Sequence, residues 1–255
     1  MTSVLVTGSA DGIGRETAAT LVSLGHRVVL HARDEARAGQ ALAAVPGAAG
    51  VLVGDLASLA RTREMAAAAS AEPFDVVIHN AGLGGGLPER RVTEDGLELL
   101  FQVNVLAPYV LTALMPRPRR LVYLTSGLES QGVADLDDLQ HERGPWDGMQ
   151  AYSDSKLLDV ALAFAVARRW PDVLSNAVDP GWIKTKLGGP NATDDLPTGA
   201  DTQVWLATSD EPAATVTGRY FKWREDLRAN PAAYDVEVQE RLLGACAEIT
   251  GVTLP

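Results

Sequence analysis

Short runs of aliphatic and β-branched residues recur along this chain, and the gap between each pair leaves room for one helix. Val4-Leu5-Val6, Val28-Val29-Leu30, Val51-Leu52-Val53, Val76-Val77-Ile78, Leu121-Val122-Tyr123-Leu124 and Val173 to Val178 have the length and composition of strands apolar on both faces. Tyr220-Phe221, after Gly218, is the candidate for a seventh. Between them, 13–24, 35–44, 58–70, 95–114, 151–169, 199–208 and 231–249 carry helical patterning. Strands buried on both faces and separated by helices belong to a parallel sheet covered on each side. Right-handed crossovers then wind that sheet in both directions. The spacing predicts an α/β fold: one domain over 1–255 on a doubly wound parallel sheet of about seven strands. A chain of 255 residues buries roughly 75% of its unfolded surface and needs no disulfide or metal staple.

Composition removes several functions. A single cysteine, Cys246, excludes a disulfide framework and a multi-thiolate zinc site, and His26, His31, His79 and His141 have no ligand-like spacing, so no metal is expected. The net charge of -11 argues against a grip on nucleic acid, which needs clustered Lys and Arg. Leu99 to Met115 is the longest apolar stretch, but Gln102, Asn104 and Pro108 interrupt it, so no membrane span is expected. No basic leader precedes the first strand, which points to the cytoplasm. Two long connections break the rhythm: an insertion at about 127–149, with Asp135, Asp137, Asp138 and Trp146, and a Gly-, Pro- and Asp-rich segment at about 182–198. Both follow the carboxyl ends of strands, where open α/β sheets bind ligands. The acidic cluster alone reads as solvated surface, since it lacks the glycine that a calcium loop requires.

The first strand runs into Thr7-Gly8-Ser9-Ala10-Asp11-Gly12-Ile13-Gly14, and a helix follows. Glycines allow a sharp turn and close approach to a pyrophosphate, and the helix N-terminus offers unpaired N–H groups and a positive dipole end. Three residues separate Gly8 from Gly12, unlike the spacing of ordinary dinucleotide folds. The second strand ends Leu30-His31-Ala32-Arg33-Asp34. A carboxylate at this point would bind the ribose of NAD, whereas an arginine accommodates the 2'-phosphate of NADP. Ala32 takes the carboxylate position and Arg33 follows it, which favours NADP(H), with NAD(H) the alternative. Asp34 and Asp11 pull the other way, and an Arg33–Asp34 surface pair would be worth under about 1 kcal/mol.

Ala151-Tyr152-Ser153-Asp154-Ser155-Lys156 opens a helix, with Tyr152 and Lys156 on one face. A phenol ionises near pH 10 and does little acid–base work at neutrality. An ammonium beside it lowers that value by on the order of one to three units. Lys occurs only at 156, 184, 186 and 222 in a chain with 22 basic residues, so its placement four residues after Tyr152 stands out.

These features together resemble the short-chain dehydrogenase/reductase (SDR) superfamily, in its single-domain branch with a Rossmann fold. The match runs along essentially the whole chain. Thr7-Gly8-x-x-x-Gly12-x-Gly14, Asn80-Ala81-Gly82 after strand four and Tyr152-x-x-x-Lys156 fall in the family's order. The resemblance implies that Gly8, Ser9, Asp11, Gly12, Ile13, Gly14, Arg33, Asp55, Leu56, Asn80, Ala81 and Gly82 bind the cofactor. Pro180, Gly181, Ile183 and Thr185 would hold the nicotinamide carboxamide, and Tyr152 and Lys156 its ribose. It also implies a catalytic set of Asn104, Ser126, Tyr152 and Lys156. Ser126 precedes Tyr152 by 26 residues, a long interval that is similar to retinol dehydrogenase-like members. Thr125 competes with Ser126, because strand neighbours point to opposite faces. His79 stands where the family more often has Asn, and reads as a packed residue at the strand end.

The resemblance implies hydride transfer between the nicotinamide and a carbonyl or alcohol carbon. Ser126 would bind the substrate oxygen, Tyr152 would protonate it, Lys156 would assist Tyr152, and Asn104 would fix a relay water. Trp146, Trp182 and Leu187 are candidate pocket walls and suit an apolar small-molecule substrate. The alternative is a redox-sensing regulator that binds NAD(P) without turnover. An epimerase or dehydratase of the extended branch would need a further substrate domain after Thr185. The helix from Ala161 to Ala167 is apolar all round and must be covered on every side. Its outer face would meet a second subunit, giving a homodimer or homotetramer, or be covered by the 127–149 segment.

Overall fold

A computed structural model describes residues 1–255. Eight strands form one sheet in the order β3-β2-β1-β4-β5-β6-β7-β8. They are β1 (Ser3–Val6), β2 (Arg27–Ala32), β3 (Gly50–Val53), β4 (Val76–His79), β5 (Arg120–Leu124), β6 (Leu174–Val178), β7 (Tyr220–Lys222) and β8 (Glu225–Leu227). The first seven pair in parallel, and all seven expected strands are present. The eighth was not expected: β8 returns antiparallel from β7 through a turn in which Trp223 and Arg224 both have positive φ, 51° and 63°. Such turns normally use Gly or Asn. Here Arg224 reaches back to the Asp201 carboxylate and donates its N–H to Thr202 Oγ1 at 3.0 Å, which holds the turn in place.

The helices are α1 (Gly12–Ser23), α2 (Glu35–Ala44), α3 (Leu59–Ala69), α4 (Leu99–Phe101), α5 (Ala107–Leu114), α6 (Gly148–Arg169), α7 (Leu196–Thr208) and α8 (Val236–Thr250). Asp11, Asp34, Ser58, Asp147, Asp195 and Asp235 cap α1, α2, α3, α6, α7 and α8, each accepting a backbone N–H of the first turn. A cap of this kind contributes about 1 kcal/mol. The helix expected over 95–114 starts at Leu99, because the Glu98 carboxylate caps it, and its middle turn, Gln102–Leu106, is π-helical. The segment expected over 231–249 is split into a 3-10 turn (Pro231–Tyr234) and α8, with Asp235 between them as the cap. No helix is long and apolar enough to cross a membrane.

Two apolar layers flank the sheet. One contains Leu5, Val77, Leu121, Tyr123, α5 and most of α6, and the other contains Val4, Val6, Val28, Leu30, Ile78 and α7. Every residue of α6 from Ala151 to Ala167 is buried within the one chain. The covering comes partly from the 127–149 segment, whose Leu139 joins the core, and partly from Ala233 and α8. Four ties fix that segment: Glu129 accepts from Asn230 N–H, Val133 N–H donates to Asp154 Oδ1, Asp137 pairs with Arg241, and Gln140 bonds Arg90 and the Glu98 N–H. Of the two coverings the sequence left open for α6, the chain supplies the second from its own residues.

Candidate active site

The glycine turn sits at the carboxyl end of β1, between β2 and β4. Gly8 and Gly12 have φ of +64° and +54°. A Cβ on Gly8 would lie 2.8 Å from Ala81 Cα, and one on Gly14 would lie 2.3 Å from Asn80 Nδ2, so neither position has room for a side chain. Thr7 Oγ1 accepts the N–H groups of Asn80 and Ala81 at 2.9 and 3.0 Å, and Asn80 Nδ2 donates to Thr7 O at 2.8 Å. Asn80 and Ala81 therefore brace the turn. The N–H groups of Ile13 and Gly14 find no acceptor in the chain, leaving two free donors at the N-terminus of α1. Asp11 caps Gly12 and pairs with Lys186 Nζ at 2.6 Å; the Lys186 hydrogen bond is the main reason its carboxyl is held below the usual range.

Ser9 is fully buried. Its hydroxyl donates to Val6 O at 2.9 Å and accepts from His31 N–H at 2.8 Å, so its side chain is scaffold. His31, which sequence reasoning passed over, is central here: Nδ1 accepts from Gly8 N–H at 2.9 Å while Nε2 bonds Gly54 O at 2.8 Å. Those partners require a neutral ring with the proton on Nε2, and burial pushes its pKa down accordingly. A histidine at the end of strand two was the visible signal, but only the folded turn shows what it grips. At the same strand end Arg33 is exposed and Nε pairs with Asp34 Oδ2 at 3.1 Å, while Asp34 also caps α2. Asp55 is exposed and closes its own turn through Ala57 N–H at 2.9 Å, whereas Leu56 is buried in the core.

Two of the expected reacting residues, Lys156 and Asn104, come together where α6, β5 and the π-helical turn meet. Lys156 is 5% exposed, and its Nζ donates to Leu124 O at 2.7 Å and to Asp159 Oδ2 at 3.2 Å. A Cβ on Gly82 would lie 3.5 Å from that Nζ and 3.4 Å from Asn104 Oδ1, which puts Gly82, Asn104 and Lys156 in one place. Asn104 lies in the π-helical turn, a distortion found often at functional sites. Its Oδ1 accepts from Leu83 N–H at 2.8 Å, and Nδ2 donates to Leu83 O and Ser155 Oγ. Both amide hydrogens are thereby used, leaving only a second lone pair on Oδ1 to meet a water. The geometry also separates Thr125 from Ser126. Thr125 is buried with its hydroxyl bonded to Lys156 O at 2.7 Å, while Ser126 is half-buried and caps the turn Gly127–Gln131.

Tyr152 lies beside Leu100 and Ala151 in a small apolar cluster completed by Leu83, Leu87, Leu128 and Trp146. Trp146 packs against this cluster, fixed by its Nε1 donating to Leu87 O at 3.0 Å. Trp182 and Leu187 are both more than half exposed on the 182–198 segment. Leu187 crosses to Gly84, where a Cβ would lie 3.1 Å from its Cγ, and Thr185 reaches Gly12. Ile183 is buried, and Thr185 Oγ1 is bonded to Ile183 O and Gly188 N–H. Asp179, missed in the sequence, closes the Pro180-Gly181 turn by accepting Gly181 N–H at 2.9 Å, and pairs with Lys222 at 2.9 Å. A cavity of about 270 Å³ lies on another flank of α6, lined by Glu98, Phe101, Asp154, Ser155 and Leu158 among others, and contains none of Ser126, Tyr152 and Lys156.

Comparisons with known proteins give the family. The family model described as short chain dehydrogenase matches residues 2–121. A short-chain dehydrogenase of Penicillium rubens, chyC, is 43% identical over 260 aligned residues covering 100% of each chain. Human retinol dehydrogenase 14 is 34% identical, covering 94% of this chain and 83% of its own. A crystal structure of an uncharacterised protein from Mycobacterium paratuberculosis superposes with a TM-score of 0.87 at 26% identity, covering 100% of this chain and 95% of that one. The chain belongs to the short-chain dehydrogenase/reductase family. It is an oxidoreductase of that family on a Rossmann-type α/β fold, and such proteins bind NAD(P) and act on small molecules.

Proposed function

We propose that this oxidoreductase uses NADP(H) to interconvert a carbonyl and an alcohol on a mainly apolar small molecule. The observation that carries the reading is the meeting of Lys156, Asn104 and Gly82 beside the braced glycine turn, with Tyr152 one turn before Lys156 on α6 in an apolar cluster against which Leu83, Leu87, Leu128 and Trp146 pack. The residues fit a dinucleotide: positions 8 and 14 have no room for a Cβ, and two N–H groups at the α1 terminus lack acceptors. When bound, the nicotinamide supplies or accepts the hydride. Ile13 and Gly14 N–H receive the pyrophosphate at the helix end, with Gly12 shaping the turn beside it. The exposed Arg33 guanidinium meets the 2'-phosphate in preference to a bare ribose. Ser126 holds the substrate oxygen, and Tyr152 Oη gives that oxygen its proton on reduction or takes it on oxidation. Lys156 uses the N–H not committed to Leu124 and Asp159 for the nicotinamide ribose. Thr185, Ile183 and the Pro180-Gly181 turn wall the carboxamide side.

Oxidation of NADPH and of NADH by the purified protein, measured across a panel of aldehydes, ketones and quinones, tests this reading, with Tyr152→Phe alongside. Turnover with NADPH that is lost in the variant, with cofactor binding retained, is the expected outcome. Undiminished turnover in Tyr152→Phe would overturn the assignment. Tight NADPH binding with no turnover on any compound would instead favour a redox-sensing regulator.

A further inference from the structure

Behind the reacting groups lies a carboxylate that the mechanism above does not use. Asp159 follows Lys156 by three residues on α6, is 2% exposed, and accepts from Lys156 Nζ through Oδ2 while its Oδ1 has no partner. An ammonium has three hydrogens. Leu124 O and Asp159 fix two of them and so aim the third. The other groups that face this pair are uncharged. Tyr123 on β5 shares a hydrogen bond with Thr112 on α5 at 2.8 Å, and His79 on β4 lies over the Tyr123 ring at 4.7 Å. Burial raises the Tyr123 phenol and lowers the His79 ring, so both stay neutral. Lys156 and Asp159 are thus the charges that decide the balance in this part of the core.

We propose that Asp159 is a positioning residue for Lys156, one that fixes the ammonium and sets the pH range over which the Tyr152–Lys156 pair works. The inference rests on the reading of Tyr152 and Lys156 as the acid–base pair. Its sign follows from charge. A negative group against the ammonium makes the next proton harder to remove from the Tyr152–Lys156 unit, whichever of the two releases it. Burial pushes Asp159 up to about 6 against the pull of Lys156, so the ion pair gives way to a lone ammonium as pH falls through that value.

The test is the pH profile of kcat for alcohol oxidation in the native enzyme and in Asp159→Asn, with thermal unfolding and NADPH titration as controls. The expected result is a shift of the ascending limb to lower pH by about one unit or more, with NADPH still bound. A profile that coincides with the native one, whatever the loss of rate, would overturn the proposal and leave Asp159 a packing residue. Asp159→Ser replaces the amide if that variant does not fold. Should neither fold, the native enzyme decides: kcat must change through a transition near pH 6, and a flat profile from pH 5 to 7 refutes the idea. Failure of the underlying reading is distinguishable, because it appears as a native protein without turnover or an active Tyr152→Phe.

Discussion

Removing one hydroxyl should unlock the glycine turn. Thr7 is 1% exposed, and its Oγ1 accepts two backbone N–H groups, from Asn80 and Ala81, while donating to Ile78 O at 3.3 Å. Thr7→Val keeps the shape and removes all three bonds. An orphaned buried donor costs about 1–3 kcal/mol. Asn80 N–H keeps Ile78 O at 3.0 Å, so the change orphans one half-buried donor, Ala81 N–H, and removes a second bond from Asn80, a loss of about 2 kcal/mol in all. That is roughly thirtyfold in the folding constant and a sizeable share of a typical domain's about 5–15 kcal/mol. The same change frees Ala81 from Gly8, which it touches closely, so NADPH affinity should fall about tenfold, the equivalent of some 1.4 kcal/mol. Urea unfolding followed by circular dichroism gives the first quantity and fluorescence titration the second. Thr7→Ser keeps the hydroxyl and should stay within about 1 kcal/mol of the native protein. If Thr7→Val lost less than about 1 kcal/mol, or Thr7→Ser fell as far, the hydroxyl would not be what braces the turn.

Arg33→Ser should raise the Kd for NADPH by about 10–100-fold, the value of a charge-assisted bond of some 1.5–3 kcal/mol, and leave the Kd for NADH nearly unchanged; equal losses for both cofactors would refute the role of Arg33. Acid should weaken the fold through His79, which burial lowers to about 3. Its unfolded form takes a proton below about pH 6.5, so the stability its neutral ring contributes is full above that pH and is lost as pH falls toward 3. His79→Gln should therefore reduce the native pH slope of unfolding free energy by about 1.4 kcal/mol per pH unit between pH 6 and 4, and parallel slopes in urea titrations would contradict this. Gel filtration should give a mass near 27.0 kDa, since the chain itself covers α6; a dimer or tetramer mass would place another surface at an interface.

How much of this was legible beforehand depends on what kind of information each feature needs. Strands β1 to β6 were visible because double-sided burial requires unbroken runs of aliphatic residues. β8 was not, because Glu225-Asp226-Leu227 is an exposed edge strand held by a turn whose bond to Asp201 is non-local. Tyr152 and Lys156 were legible from their spacing on one helical face. Asp159 was just as visible as a letter three positions on, yet only burial distinguishes a carboxylate inside the core from one on a solvated face. The π-helical turn at Asn104 likewise has no local signature, because Leu83 and Ser155, which hold its side chain, come from other elements. Ser126 is read over Thr125 from its place in the pattern, but the bond between the Thr125 hydroxyl and α6 joins two elements and has no local signature.

The polar residues of the site divide into two groups by whether their hydrogen-bonding capacity is spent. Thr7, Ser9, His31, Asn80, Thr125 and Asp179 have theirs committed to backbone or to a neighbouring side chain. Thr7 ties the end of β1 to Asn80 and Ala81 after β4, Ser9 and His31 tie β1 to β2, and Thr125 ties β5 to α6, while Asp179 closes its own turn after β6 and pairs with Lys222. The N–H groups of Ile13 and Gly14, the Arg33 guanidinium beyond the Nε bonded to Asp34, the hydroxyl hydrogen of Ser126, the Tyr152 phenol and one hydrogen on Lys156 are not consumed in this way. A ligand can bind only to capacity of the second kind, because bonds to the first would have to be broken before they were replaced. Much of what the sequence spells as a cofactor motif is therefore bracing, and on the proposed function the chemistry falls to a smaller set with capacity to spare. Substitutions in the first group should act through stability and affinity together, as argued for Thr7. Those in the second should leave the fold intact and change one step of binding or proton transfer, as Arg33 and Tyr152 are expected to do.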